Sequence, residues 1–175
     1  MSLKILNQIL NARVYEVAHE TPLELAPILS RRNGNRVWLK REDEQPVFSF
    51  KCRGAYNKMA GLSRAALKKG VIAASAGNHA QGVALAAQRL GSRPPIAMPR
   101  TSPQIKVDAV RGLGGQVVLH GDNYDAAYAH AREIERKRGL VFVHPYDDPE
   151  VIAGQGTIGV EIHKQFPGTP DAIFI

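Results

Sequence analysis

The sequence has a single cysteine, few aromatic residues and no long apolar run. Cys52 is the only cysteine among 175 residues, so no disulfide can form within the chain, which suits a reducing compartment. No cluster of cysteines and histidines has zinc-site spacing, and we therefore expect no bound metal. The fold must hold without covalent cross-links.

Disorder and membrane insertion are also poor interpretations of the composition. Apolar residues make up 44% and charged residues 22% of the chain, and the mean hydropathy is −0.22. These values are typical of soluble globular proteins. Polar residues interrupt any secretory or membrane-spanning pattern in residues 1–13, which favours a short amphipathic helix there. We expect a cytoplasmic protein with no membrane partner.

Positive charge is concentrated in one segment. The formal net charge is +7, and residues 31–70 carry eleven of the 23 Lys and Arg against three carboxylates. Such a zone can attract nucleic acid, an anionic membrane or a small phosphorylated ligand, or it can be a solvated face. Because neither interleaved aromatic residues nor a nucleic-acid motif accompanies it, we expect no nucleic-acid partner.

The chain beyond residue 70 alternates apolar runs with helical patterns. The runs are 71–75, 95–99, 116–120, 141–145 and 171–175. They begin 21 to 30 residues apart, with stretches of period near 3.6 between them. Such spacing is typical of βαβ units, so the sequence predicts an α/β fold with open parallel sheets and flanking helices. Ligands bind such sheets beyond the carboxyl ends of the strands.

Connecting segments indicate where domains begin and end. A further predicted strand at 36–40 is followed by an irregular stretch containing Pro46. We expect residues 1–45 and 149–175 to belong to one larger domain, and residues 46–148 to form a small α/β domain. The predicted strand at 171–175 runs into the carboxyl terminus, where such folds build their sites, so we expect a fragment or an incomplete protein.

Lys51 is the first candidate for chemistry. The segment SFKCRGAYNK begins with an N-cap candidate and places Lys51 in the first turn of a helix. The helix dipole, the like charges of Arg53 and Lys58, and burial beneath Phe48 and Phe50 would lower its pKa. A free amine is what a nucleophilic lysine needs. An ordinary surface lysine in a basic helix has the same local pattern.

A second candidate is the segment ASAGNHAQG at residues 74–82, which joins a predicted strand to a predicted helix. Gly77 permits close backbone approach, and the first amides of the helix near His79 would point at a carboxylate or phosphate. The nucleotide-binding spacings G-x-G-x-x-G and G-x-x-x-x-G-K-[ST] are absent. An ordinary turn with Asn78 as a cap would explain the same pattern.

Together the segments are far more specific than either alone. The order KREDEQPVFSFKCRGAYNK, ASAGNHAQG and HPYDDPEVIAGQGTIGVEI resembles the threonine dehydratases, or threonine deaminases. These are fold type II pyridoxal-phosphate enzymes with a tryptophan synthase β-like architecture. The resemblance covers nearly the whole chain, and residues 9–24 and 45–59 are most similar to the biosynthetic type, which opens the isoleucine pathway.

The resemblance implies roles for particular residues. Lys51 matches the lysine that holds pyridoxal 5'-phosphate and moves the Cα proton of the substrate, and Phe50 matches an aromatic residue that packs on the cofactor ring. Four residues match the loop that binds the substrate carboxylate: Ser75, Gly77, Asn78 and His79. Of these, Asn78 also matches a cofactor contact. Gly154 and Gln155 match a segment that borders the cleft.

The implied activity is the conversion of L-threonine to 2-oxobutanoate and ammonia, with L-serine giving pyruvate. Related serine racemases carry a second serine where this chain has Ala76, so racemisation is disfavoured. The phosphate-binding loop of the family is expected beyond Ile175, and we therefore expect weak cofactor retention and little turnover by these 175 residues alone. Full-length members commonly form dimers or tetramers, so we expect a homo-oligomer.

A different class of function stays open. The chain could be a non-catalytic α/β module that binds anions through residues 75–79 and assembles with a partner chain. A relative of the serine dehydratases or racemases is a further alternative.

Cys52 stands where an aliphatic residue is expected, and we interpret it as a small core residue.

Overall fold

The computed structural model describes residues 3–175, which form a four-stranded and a two-stranded sheet with flanking helices. In chain order the elements are α1 (Leu3–Leu10), β1 (Leu23–Leu25), α2 (Pro27–Asn33), β2 (Trp38–Lys40), α3 (Lys51–Ala60), α4 (Arg64–Lys69), β3 (Val71–Ala74), α5 (Asn78–Arg89), β4 (Pro95–Met98), α6 (Gln104–Gly112), β5 (Gln116–Leu119), α7 (Tyr124–Arg138), β6 (Val141–Phe142) and α8 (Pro149–Gln165). A 3-10 helix, Glu42–Glu44, follows β2. The predicted N-terminal helix is confirmed as α1, although residues 1–2 of its segment lie outside the described residues.

The larger sheet is parallel throughout and has the strand order β5-β4-β3-β6. Ile96 of β4 lies between Ala73 of β3 and Val117 of β5, and Ile72 of β3 is level with Phe142 of β6. Each of the four apolar runs between residues 71 and 145 contains one of these strands. The predicted parallel α/β sheet is therefore confirmed.

Both faces of this sheet are covered by helices, as parallel sheets require. The side chains of β3 alternate, so that Val71 and Ala73 pack in one core with helices α3, α5 and α6. Ile72 and Ala74 pack in a second core with Ala127 of α7. The small side chains on β3 allow the helices to approach the middle of the sheet closely.

Local signals explain where the two longest helices begin. The Oδ1 of Asn123 accepts a hydrogen bond from the N–H of Ala126 at 2.9 Å, which caps α7. The Oδ1 of Asp148 likewise accepts from the N–H of Glu150 at 2.9 Å, and Pro149 occupies the first position of α8. Both caps satisfy backbone groups that would otherwise lack partners.

Two parts of the chain differ from the prediction. Residues 171–175 form no strand, because they pair with no strand of the described residues, and Ile173, Phe174 and Ile175 are exposed. The predicted strand at 36–40 is present as β2, but its partner is β1, which runs antiparallel to it. Within the described residues, no helix combines the length and apolar character needed to cross a membrane.

Candidate active site

The candidate site lies at the carboxyl edge of the parallel sheet. The segment 75–77 follows β3, the segment 99–103 follows β4, and the segment 143–148 follows β6. Because the strands are parallel and adjacent, these three connections meet at one edge. The N–H of Ser75 donates to the carbonyl oxygen of Ala97 at 3.0 Å, which fixes the first connection to β4.

Lys51 is the first residue of α3, and its amine reaches the end of β6. The Nζ atom donates a hydrogen bond of 2.8 Å to the carbonyl oxygen of Pro145 and lies 5.2 Å from the centroid of the Phe50 ring. Ser49 accepts a hydrogen bond from the Lys51 N–H at 3.3 Å, although Phe50 takes the N-cap position. Partial burial lowers the pKa of the Lys51 amine.

Some of the expected causes of this pKa shift are wrong. Arg53 is surrounded by carboxylates, and Lys58 pairs with Asp148 at 2.7 Å, so neither presents an uncompensated positive charge to Lys51. Phe48 is 79% exposed instead of covering the amine. The lowered pKa of Lys51 comes from its own burial at the sheet edge.

The predicted anion-binding segment forms the turn between β3 and α5. The Oγ of Ser75 accepts a hydrogen bond from the N–H of Gly77 at 3.1 Å and so holds the turn closed. Asn78 is the exposed first residue of α5, and its Oδ1 accepts from the Nζ of Lys106 at 3.0 Å. The first turn of α5 leaves backbone N–H groups without helical acceptors, and the positive end of the helix dipole lies there.

The ring of His79 is buried under this turn, with 3% of the residue exposed. Its Nε2 lies 2.9 Å from the carbonyl oxygen of Val143, and because a carbonyl only accepts, Nε2 must carry the proton. Nδ1 has no hydrogen-bond partner among the described residues. Burial lowers the pKa of His79 to about 4, against the opposing effect of the bond to Val143, so the ring is neutral at pH 7.

The segment that follows β6 therefore binds both His79 and Lys51. The carbonyl of Val143 binds His79 of α5, and the carbonyl of Pro145, two residues later, binds Lys51 of α3. Both acceptors are backbone carbonyl groups. Because every residue has one, the sequence could not predict these two contacts. Lys51 and the turn at 75–79 are thereby brought to the same edge, as the sequence predicted.

A close helix contact sets the distance between α3 and α5. A Cβ at Gly82 would lie 2.9 Å from the backbone carbonyl carbon and oxygen of Lys51 and 3.0 Å from the nitrogen of Cys52. A side chain at residue 82 would thus push α5 away from the helix that carries Lys51. The residue pattern alone did not predict this role; the signal that indicates it is a glycine inside a helical pattern.

Gly154 and Gln155 lie on α8, where it packs against α3. A Cβ at Gly154 would lie 2.7 Å from the Cα of Gly54, so the two helices touch through their glycines. The Oε1 of Gln155 accepts from the N–H of Gly54 at 3.2 Å, and its Nε2 is buried with no partner in residues 3–175. Both residues contact the helix of Lys51 from the side of α8.

Arg53, two residues after Lys51, lies fully buried in a network of ions. Its guanidinium donates to both oxygens of Glu42, at 2.8 and 2.9 Å, and to both oxygens of Glu161, at 2.5 and 3.0 Å. The Nζ of Lys40 lies 2.6 Å from Glu161 and supplies a second cation. Because every charge is paired, the network ties α3 to α8 and to the 3-10 helix without a net buried charge.

The basic segment at 31–70 is therefore not one continuous cationic surface. Four of its cations are paired with carboxylates: Lys40, Arg41, Arg53 and Lys58.

Within residues 3–175, no group of three His, Cys, Asp or Glu side chains is arranged to hold a metal ion.

Known proteins with similar sequences are biosynthetic threonine dehydratases. The chain is 60% identical over 173 residues to the biosynthetic L-threonine dehydratase of Burkholderia multivorans, covering 97% of this chain and 34% of that protein. It is 58% identical over 170 residues to the chloroplastic threonine dehydratase 1 of Solanum lycopersicum, covering 97% of this chain and 28% of that protein. The chain thus spans about a third of the length of these relatives.

Similar solved structures include a threonine deaminase and a serine racemase. The processed threonine deaminase isoform 2 of Solanum lycopersicum superposes with a TM-score of 0.89 at 61% identity, covering 93% of this chain and 45% of that one. Maize serine racemase superposes with a TM-score of 0.86 at 32% identity, covering 91% of this chain and 49% of that one. The family model described as "Pyridoxal-phosphate dependent enzyme" matches residues 14–175. The chain belongs to the family of pyridoxal-phosphate dependent enzymes.

Proposed function

We propose that this chain is part of a biosynthetic threonine dehydratase that converts L-threonine to 2-oxobutanoate and ammonia. The observation that carries the proposal is the position of Lys51, whose partly buried amine lies at the same sheet edge as the turn at 75–79. The relatives named above support the choice of substrate. We further propose that L-serine is converted to pyruvate and that the reaction serves isoleucine biosynthesis.

The residues present fit pyridoxal 5'-phosphate. Lys51 offers a primary amine whose pKa is lowered by burial, and an amine of this kind is required to bind an aldehyde. The ring of Phe50 lies beside that amine, and the exposed Asn78 stands across the edge of the sheet. When bound, the cofactor supplies an electron sink for the negative charge that develops at the substrate Cα. We propose that Lys51, Phe50 and Asn78 hold it.

Lys51 has a second task in the proposed reaction. When its amine is free and neutral, Lys51 would be a base that can take the proton from the substrate Cα. A lowered pKa increases the fraction of neutral amine at pH 7, which is the form that accepts a proton. The carbonyl of Pro145 holds Nζ at the sheet edge, so that the base stays close to its target.

Carboxylate binding is the task that we propose for the turn at 75–79. Backbone N–H groups in the first turn of α5 can donate to a carboxylate, and the helix dipole favours negative charge there. The Oγ of Ser75 holds the turn through the N–H of Gly77. His79 is neutral and buried, so we propose that its contribution comes through the backbone and through the support that its ring gives to the turn.

Racemisation is the second candidate reaction, because maize serine racemase has a closely similar fold. Ala76 is exposed in the turn and carries no hydroxyl group that could act as an acid on the opposite face of the substrate. Ala76 therefore favours a dehydratase that does not racemise its substrate.

We also propose the organisation of the chain. Residues 1–45 and 149–175 would belong to the large cofactor domain, and residues 46–148 would form the small domain; the larger sheet lies entirely within the latter range.

A homo-oligomer is proposed and can be tested by light scattering. For location we propose the cytoplasm, because Cys52 is free and buried; the relatives in Solanum lycopersicum and Arabidopsis thaliana are named as chloroplastic, so cell fractionation must decide.

The direct experiment measures 2-oxobutanoate formed from L-threonine by the complete gene product that contains this chain. Lys51→Ala should abolish turnover, whereas Lys68→Ala, at an exposed position on α4, should leave it unchanged. Unchanged turnover in Lys51→Ala would refute the proposal. Absence of turnover in the wild type, with intact folding, would favour the non-catalytic module instead.

A further inference from the structure

A second lysine, Lys106, stands at the candidate site. It lies in the first turn of α6, and its Nζ donates a hydrogen bond of 3.0 Å to the Oδ1 of Asn78. The next residue, Val107, is 2% exposed and packs in the core, as does Val110. This anchoring fixes the start of α6 at the carboxyl edge of the sheet, so the amine reaches Asn78 from a rigid support.

The charge of Lys106 is not compensated by a carboxylate. The nearest acidic residue along α6 is Asp108, which instead accepts from Gln104 at 2.7 Å and from Arg111 at 3.4 Å. In the part of the chain that the structure describes, Lys106 forms no salt bridge, and the hydrogen bond that it makes is to the uncharged Asn78. A full positive charge therefore stands beside the N-terminus of α5, whose dipole has the same sign.

The hydrogen bond also fixes which way the Asn78 amide faces. A lysine ammonium has three donors and no acceptor, so only the amide oxygen of Asn78 can face it. The amide NH2 must then point away from Lys106, and it has no partner among residues 3–175. The turn consequently presents two kinds of donor: the NH2 of Asn78 and the first backbone N–H groups of α5.

Building on the proposed function, we propose that Lys106 is a positioning residue that acts through Asn78. It holds the amide so that the NH2 group faces the oxygen atoms of the cofactor and of the substrate carboxylate. Without Lys106, the amide can rotate and present its oxygen to those groups, which would replace an attraction by a repulsion.

A double-mutant cycle tests the proposal through cofactor affinity, which needs no turnover. The dissociation constant for pyridoxal 5'-phosphate is measured by absorbance titration of the complete gene product and its variants. Lys106→Met and Asn78→Ala should each weaken binding about fivefold to tenfold, and the double variant should be no weaker than Asn78→Ala. Lys106→Arg, which keeps both donor and charge, should stay within about twofold of the wild type.

The controls separate this role from general stability. Lys68→Met, on the exposed face of α4, should leave the dissociation constant unchanged. If Lys106→Met does not fold, Lys106→Ala, which also removes the donor, gives the same cycle. Additive losses in the double variant, or wild-type affinity of Lys106→Met, would overturn the proposal. If the wild type bound no cofactor at Lys51, the proposed function itself would fail, which is a different result.

Discussion

The amine of Lys51 lies 2.8 Å from the carbonyl oxygen of Pro145, and the two residues are 94 positions apart in the chain. A carbonyl can only accept, and an amine can donate to it whether charged or neutral, so the bond is compatible with a lowered pKa. Burial lowers the pKa of the Lys51 amine. The amine is held in place by one contact that a ligand can displace.

Gly82→Ala tests the close contact between α3 and α5. Its Cβ would lie 2.9 Å from the backbone of Lys51, so one helix must shift. We expect the free energy of unfolding to fall by about 1–3 kcal/mol, together with a loss of cofactor bound at Lys51. Gly159→Ala is the matched control, because this helical glycine has nothing within 4 Å, and the variant should be as stable as the wild type or more so. If urea unfolding gave the two variants the same free energy of unfolding, the close contact at Gly82 would be contradicted.

Arg53→Met should be among the most destabilising single substitutions. It leaves the buried Glu161 and the half-buried Glu42 without their main partner, which costs about 3–5 kcal/mol. Arg111→Met removes an exposed pair with Asp108 and should cost less than about 1 kcal/mol. Urea unfolding at pH 7 measures both. A small loss for Arg53→Met would mean that the network does not hold α3.

His79 predicts how stability depends on pH. Its pKa is about 4 in the folded chain and about 6.5 when unfolded, so the unfolded chain takes up the proton first. Its contribution to stability is therefore complete above pH 6.5 and is lost as pH falls towards 4, by on the order of 3 kcal/mol. Hydrogen bonds from Arg53, Lys40 and Tyr15 lower the pKa of Glu161 despite its burial, so that group contributes to the loss at more acidic pH.

Urea unfolding at a series of pH values between 7 and 4.5 measures the effect of His79. In His79→Gln the slope of stability against pH should be reduced in this range. His163→Gln, at an exposed position near the end of α8, should keep the wild-type slope. The same slope in all three proteins would show that His79 is not buried as a neutral ring.

Cys52 should be chemically inert in the folded protein. The thiol is fully buried and its Sγ donates to the carbonyl oxygen of Ser49 at 3.4 Å. Burial raises the pKa of the thiol to about 11, so almost no thiolate exists at pH 8. Iodoacetamide should label Cys52 after unfolding in urea and not before, as measured by mass spectrometry. Rapid labelling of the native protein would contradict its assignment as a core residue.

Much of the fold could be predicted because its signals are local. Each βαβ unit shows an apolar strand followed by a helical period, so four strands and their parallel direction followed from the pattern. The rule that loops after parallel strands share one edge predicted where the turn at 75–79 lies. Lys51 begins α3, before the first strand of that sheet, so the rule did not predict its position. The strand β1, with only three residues, gave no comparable signal.

Contacts between distant residues could not be predicted in the same way. Arg53 and Glu161 are 108 positions apart, and neither residue type indicates the other. The sequence suggested that Arg53 would repel Lys51, whereas its carboxylate partners cancel that charge. The backbone acceptors Val143 and Pro145 leave no trace in the side-chain pattern, because any residue has a carbonyl group.

The most direct test of the central claim is chemical. The complete gene product is incubated with pyridoxal 5'-phosphate, reduced with borohydride, digested and mapped by mass spectrometry. The account predicts a pyridoxyl group on the peptide that contains Lys51, and none on that peptide in Lys51→Ala. Reduction that leaves the peptide unmodified, or that places the group on another residue such as Lys106, would contradict the assignment of Lys51.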